Sequence, residues 1–397
     1  MTVPILSHPL VTNSATLTKL TQNQRENSFL VPRKGNTQRL AHTPETLKQA
    51  NPRLRSETSI MLPLRNISLF ISLLCHASLL SSLLAKELEI GYYSDTCPDA
   101  ESIVRDVMRH AMAREPRSVA SVMRLQFHDC FVNGCDGSVL MDETETMLGE
   151  KEALSNINSL RSFEVIDEIK EALEENCPGV VSCADIIIMA SRDAVALSGG
   201  PYWDVKLGRE DCLYASQDDS NDIMPSPRAN ATMLIDLFSR FNLTITDLVA
   251  LSGSHSIGEA RCFSIVFRLY NQSGSGRPDP NMDPMYRNKL DSLCPKGGDE
   301  NVTGGMDSTP VKFDNQYFKD LVQLRGFLNS DQTLFSDNIR TRKLVKKFST
   351  DQEAFFKAFI KGMVKMGDLQ SRRKGEIRRN CRVANNQRKD DLLIRVF

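Results

Sequence analysis

The chain is expected to be mainly α-helical, and three observations carry that expectation. Apolar residues recur at three- and four-residue spacing through most of residues 100–364, the stripe of helices packed on a core. No strand series, internal repeat or low-complexity tract interrupts them. The ten cysteines of the 397-residue chain include no Cys-x-x-Cys pair, so covalent cross-links suit them better than zinc.

Residues 1–60 are polar, rich in Thr, Asn, Gln and Arg, and have neither helical nor strand period. They are expected to be disordered: an extension ahead of a true initiator at Met61, or alternatively a transit peptide. Residues 61–85 read as a secretory signal, with Arg65, a short apolar run and small residues ending at Ala85. Ser72, His76, Ser78, Ser81 and Ser82 break that run, which disfavours a membrane anchor. Residues 86–397 form one domain.

That domain holds 40 Lys/Arg and 47 Asp/Glu, after the nine basic and three acidic residues of 1–85 are subtracted from 49 and 50. An acidic body without a basic stripe excludes nucleic-acid binding. Four sequons, at Asn230, Asn242, Asn271 and Asn301, accord with secretion.

Within the domain, residues 100–114 carry a stripe of Ile103, Val104, Val107, Met108 and Ala111. Residues 118–131 and 163–176 are the next helices. Residues 183–196 are too long for a strand and too apolar for a surface, so they read as a buried helix. Residues 231–241 follow Pro225-Ser-Pro227, and 245–251, 255–270 and 314–324 are further helices. Residues 341–364 form one long amphipathic segment with Phe348, Phe355, Phe356 and Phe359.

The chemistry concentrates in Arg124-Leu-Gln-Phe-His-Asp-Cys-Phe-Val-Asn-Gly-Cys-Asp-Gly-Ser138. Arg124 and His128 stand one helical turn apart on one face. The cation holds the imidazole neutral and able to accept a proton. A base beside a fixed positive charge suits O–O cleavage, with the His moving a proton between the oxygens and the Arg stabilising developing charge. Asp129, Asp136 and Ser138 then supply hard oxygen ligands on a glycine-softened loop, which suits calcium. A second stretch, Asp247-Leu-Val-Ala-Leu-Ser-Gly-Ser-His255-Ser-Ile-Gly-Glu-Ala-Arg-Cys262, places a histidine between a short apolar helix and a glycine-flanked turn.

From about residue 89 to 383, and most specifically in these two stretches, the chain resembles the class III secretory plant haem peroxidases. The resemblance implies a two-lobed, mainly helical fold around one haem b, with four disulfides and two calcium ions. It implies His128 as proton acceptor, Arg124 as its electrostatic partner, and Asn156 as the side chain orienting His128. Phe127 lies against the cofactor, His255 is the axial iron ligand, and Asp331 hydrogen-bonds that ligand's far nitrogen. One calcium site would use Asp129, Val132, Gly134, Asp136 and Ser138, with Glu150 linking it to Asn156. The other would use Ser256, Asp307, Thr309, Lys312 and Asp314, on a loop one residue shorter than the commoner spacing. Pro225 matches a residue at the donor channel, whose carbonyl accepts a hydrogen bond from a phenol. Nearby positions read Leu154, Ile257 and Ser264 where aromatics can occur, and Met306 stands beside His255.

Spacing alone leaves 105 pairings open for eight cysteines. The resemblance implies Cys97–Cys177, Cys130–Cys135, Cys183–Cys381 and Cys262–Cys294, with Cys75 in the signal and Cys212 left as a passive thiol. The implied activity is reduction of H2O2 with one-electron oxidation of phenolic small molecules. The implied setting is the extracellular space or cell wall rather than the vacuole, without stable membrane insertion, as a monomer. Two rivals stand beside it. A non-catalytic, glycosylated wall-binding protein would not need Arg124, His128, Asn156 and His255 together. A Ser/His/Asp hydrolase is disfavoured because Ser254 and His255 are adjacent and no nucleophile elbow occurs.

Overall fold

The computed structural model describes residues 87–386. The chain divides into Met1–Asn66 and Ile67–Phe397, and every described residue lies in the second unit. The extension and signal expected over 1–60 and 61–85 therefore fall outside the described residues.

Thirteen α-helices and two short strand pairs make up the described fold. The first pair joins β1 (Glu89–Ile90) to β2 (Lys206–Leu207), antiparallel. Between them run α1 (Ala100–Arg114), α2 (Ser118–Phe131), α3 (Phe163–Asn176) and α4 (Cys183–Leu197). Helix α1 buries Ala100, Val104, Met108 and Ala111, the stripe its spacing dictates. Helix α4 is buried along nearly its whole length, and its N-terminus is capped by Ser182, whose hydroxyl accepts from Asp185 N at 3.1 Å. Both α1 and α2 pack on α4. A rigid helix thus lies beneath the one that carries Arg124 and His128.

The chain continues through α5 (Gln217–Ile223), α6 (Ala231–Arg240) and α7 (Ile245–Ser252). Thr244 and Asp247 form a reciprocal capping box at the start of α7. The helix expected over residues 255–270 does not form as one element. A 3-10 turn (Gly253–Ser256) gives way to β3 (Glu259–Arg261), which pairs antiparallel with β4 (Thr303–Gly305), and only α8 (Val266–Tyr270) is helical. The cause is Gly258: its φ of +103° is incompatible with a continuing helix, and a Cβ there would lie 2.9 Å from that of Ala120.

Then follow α9 (Pro284–Leu293), α10 (Gln316–Val322), α11 (Asn329–Ser336), α12 (Ile339–Thr350) and α13 (Gln352–Gly367). The single segment expected over 341–364 is two helices. Asp351 leaves helical geometry, at φ −135° and ψ 90°, and its carboxylate caps α13 by accepting from Ala354 N. The aromatic residues of this segment form the heart of the core. Phe355 lies 4.8 Å from Phe318 and stacks on Phe313 at 5.7 Å. Burial of each such ring contributes on the order of 1.5–3 kcal/mol. The 3-10 turn rests on this cluster, since a Cβ on Gly253 would come within 2.5 Å of the Phe355 ring. Packing of α13 therefore fixes the height at which His255 is presented.

All four implied disulfides form: Cys97–Cys177, Cys130–Cys135, Cys183–Cys381 and Cys262–Cys294. Cys212 is free and buried. Burial and the neighbouring Asp136 raise its pKa, so the thiol is inert, in line with a passive role.

Candidate active site

On α2 the Arg124 Nε donates to His128 Nε2 at 3.0 Å. The guanidinium is held from its other side by the Ser155 and Ser159 carbonyls, each at 2.9 Å. His128 is 3% exposed. Burial, then the charge of Arg124, hold its pKa well below the usual imidazole range. The ring is therefore neutral, and since Nε2 accepts from Arg124, the network places its proton on Nδ1. Phe127 lies edge-on to the ring at 5.4 Å.

Asn156 is also buried. Its Nδ2 donates to the Glu150 carbonyl at 2.8 Å and to Ser220 Oγ at 3.3 Å, and its Oδ1 accepts from Ser155. It is near enough to favour the charged imidazole, but His128 Nδ1 makes no hydrogen bond of acceptable geometry. The expected orienting pair is thus brought together without its direct bond.

His255 makes a hydrogen bond through Nδ1 to Asp331 Oδ1 at 2.8 Å. Asp331 is 2% exposed and is itself fixed, accepting from the Tyr317 hydroxyl at 3.0 Å and from Leu328 N at 3.2 Å. The His255 side chain is 39% exposed, although its neighbours Gly253 and Ser256 are buried. Its Nε2 makes no hydrogen bond among the described residues. An imidazole supported by a buried carboxylate on one nitrogen and free on the other is a fit donor for haem iron.

A second cation, Arg261, stands near Arg124 and was not singled out from the sequence. Arg261 repels Arg124, which together with burial, the larger cause, pushes the Arg124 pKa down to about 10. Arg117, at the start of α2, pairs with Glu259 beside it at 3.4 Å. The signal was the Glu-Ala-Arg within the second motif.

Of the two residue sets implied for calcium, the first, called distal, runs from Asp129 to Ser138 with Glu150, and the second, called proximal, from Ser256 to Asp314. Asp129 Oδ2 accepts from Gly137 N at 3.0 Å, and Asp136 Oδ1 from Ser138 N at 3.2 Å. The remaining oxygens are stranded. Asp136 Oδ2, Ser138 Oγ and both Glu150 carboxylate oxygens are buried with no hydrogen-bond partner. The Ser138 hydroxyl lies close to the Asp136 and Glu150 carboxylates yet bonds to neither. The Val132 and Gly134 carbonyls accept no hydrogen bond among the described residues. Burial, then Asp136, pushes the Asp129 pKa up to about 8. Burial likewise raises Asp136 and, strongly, Glu150. Orphaned buried oxygens and carboxylates that resist ionisation are what a hard cation would relieve.

The proximal residues are also brought together, with a different outcome. Ser256 Oγ donates toward the Lys312 and Asp314 carbonyls and accepts from Asp314 N at 2.9 Å. Thr309 N donates to Asp307 at 2.7 Å, and its hydroxyl to Asp314 at 3.3 Å. Lys312 pairs with Asp314 at 3.7 Å. Burial, the largest cause, raises Asp307 to about 7. Among the described residues, no group of three or more His, Cys, Asp or Glu side chains is arranged to hold a metal. Either ion would thus depend on hydroxyl and carbonyl oxygens as well.

Pro225 is half-buried on the link between α5 and α6. Leu154 is 84% exposed, whereas Ile257 is buried, so only the former meets incoming molecules. Met306 is buried, its N–H bonded to the Gly258 carbonyl at 3.0 Å.

The peroxidase family pattern matches residues 104–351. The chain is 68% identical to Peroxidase 17 of Arabidopsis thaliana over 83% of its own length and all of that protein. It is 50% identical to Arabidopsis thaliana Peroxidase 15, over 75% of this chain and 88% of that one. It is 46% identical to Peroxidase N of Armoracia rusticana, over 77% and 94% respectively.

Proposed function

From the premise that the chain belongs to the plant class III peroxidases, and is a haem-dependent enzyme that reduces H2O2, we propose that His128, Arg124 and His255 carry its reaction and that its donors are small phenols. Haem would be held through His255 Nε2, with Asp331 behind it, and would supply the redox chemistry that breaks the O–O bond. His128 is placed to take a proton from one peroxide oxygen and to return it to the other, which leaves as water. Arg124 steadies the charge developing between the oxygens. Asp331 keeps electron density on His255. Two phenols each lose one electron and one proton, so that H2O2 and two phenols yield two waters and two phenoxyl radicals. The wall-binding alternative is not favoured, because it has no use for a neutral base beside a cation.

The observation that carries this reading is the Arg124–His128 contact of 3.0 Å, with His128 held neutral. We also assign two calcium ions, one to each cradle, and secretion to the cell wall as a monomer following removal of residues 61–85. No described helix is long and apolar enough to cross a membrane. The test is to refold residues 86–397 oxidatively with calcium and haem, then record the visible spectrum around one equivalent of H2O2. A Soret band that shifts, and returns when a phenol is added, is expected. A band unmoved by peroxide would leave a haem carrier with a disabled distal side.

A further inference from the structure

A cleft of about 340 Å³ is lined by α8, residues 295–300 and Arg228, and none of the residues assigned above to the peroxidase reaction lines it. Its volume falls within the range of small-molecule sites. Its walls are tied together rather than merely adjacent. The Cys262–Cys294 disulfide joins two of them, and the Tyr270 hydroxyl donates to the Cys294 carbonyl at 2.9 Å. Gly298 N closes a turn onto the Pro295 carbonyl at 2.9 Å. Gly297 stands in that turn at φ +76°, a value that demands glycine. The turn holds Lys296 at its corner.

The lining has a chemical direction. The Arg228 guanidinium lies over the Phe267 ring, 4.5 Å from its centroid. Neither Arg228 nor Lys296 enters an ion pair among the described residues, while the neighbouring charges Arg268, Arg287 and Arg325 all do. Asp299, also in the lining, is occupied by Asn301, accepting from its N–H and its side-chain amide. The cleft thus holds two cations with no ion-pair partner among the described residues, in one lining with Phe267 and Tyr270. Guanidinium groups bind carboxylates in a fixed, planar fork, and aromatic walls select a flat body.

We infer that this cleft is a second, non-catalytic binding site for a planar aromatic monocarboxylate. Its carboxylate sits on Arg228 and Lys296, and its ring lies against Phe267 and Tyr270. Asp299 and Glu300 also line the cleft and disfavour a second negative charge on the ligand. The inference is independent of which donors the haem site oxidises.

The probe is trans-cinnamate, which lacks the phenolic hydroxyl of an oxidisable donor. Haem-loaded protein is titrated by calorimetry and by ligand-observed NMR, with the Soret band followed in parallel. Saturable binding that leaves the Soret band unchanged is expected, weakened about tenfold or more in Arg228→Gln by loss of the charged fork, and less in Lys296→Gln. Cinnamyl alcohol, the uncharged analogue, binds more weakly than cinnamate. Absence of saturable binding would overturn the inference. So would equal affinity in both variants, or binding that moves the Soret band and ignores both substitutions, which would place the probe at the haem. Phenol turnover in the same samples reports separately on the peroxidase reading.

Discussion

On the distal side of the site, Asp136, Ser138 and Glu150 keep buried oxygens without partners, whereas on the proximal side Ser256, Asp307, Thr309 and Asp314 satisfy one another. The histidines follow the same division. His128 is sealed beside a cation, and His255 is open and leans on a carboxylate. Both sides raise a buried carboxylate, but only the first leaves its oxygens without hydrogen-bond partners. A group meant to move protons benefits from the sealed setting, because its basicity must respond to substrate. A group meant only to hold iron benefits from the open, carboxylate-backed one.

The largest expected effect breaks the distal side alone. His128→Ala should lower kcat by about a thousandfold, roughly 4 kcal/mol of barrier, while the Soret band persists. Near-normal turnover in haem-loaded protein would remove His128 from the mechanism. Asp331→Asn addresses the other side and should be milder, about 10- to 100-fold in activity or haem affinity. Haem titration and steady-state kinetics on the same preparation separate the two.

Calcium removal sharpens the contrast. In the metal-free protein the folded pKa of Asp129 is raised to about 8, against about 4 unfolded. The folded state therefore binds more protons between these values, and stability falls as pH rises through that window. Calcium displaces the proton, so it should raise the melting temperature more at pH 8 than at pH 5. Asp129→Asn should remove part of that pH dependence, because Asp136 and Glu150 are raised in the same cluster, while Asp314→Asn should change it little. Equal effects of the two substitutions would erase the difference between the cradles. The smallest change is Tyr317→Phe, which deletes one hydrogen bond to Asp331 and should cost about 1 kcal/mol in denaturant unfolding.

Where the sequence misled, a single residue was responsible. Residues 255–270 have helical spacing, but Gly258 turns the chain so that β3 can reach β4. Asp351 reads as a polar residue within one amphipathic run, but it ends α12 and caps α13. Helix α11, which carries Asp331, showed no periodicity of its own, since it is only eight residues long and depends on tertiary packing to exist. Asp331 was accordingly found by its likeness to a motif and not by pattern.

Local order therefore determined a good deal. The stripe of α1, the apolar length of α4, the Arg124–His128 spacing and the oxygen-rich loop after it all follow from periodicity and side-chain chemistry, which act over one or two turns. Tertiary structure alone decided which cysteines pair, and that Asp331 comes to His255 from 76 positions away. It alone set Arg261 against Arg124, and it alone left the distal oxygens stranded while the proximal ones found partners. Burial and charge depend on what the rest of the chain places around a residue, and no window of sequence contains that.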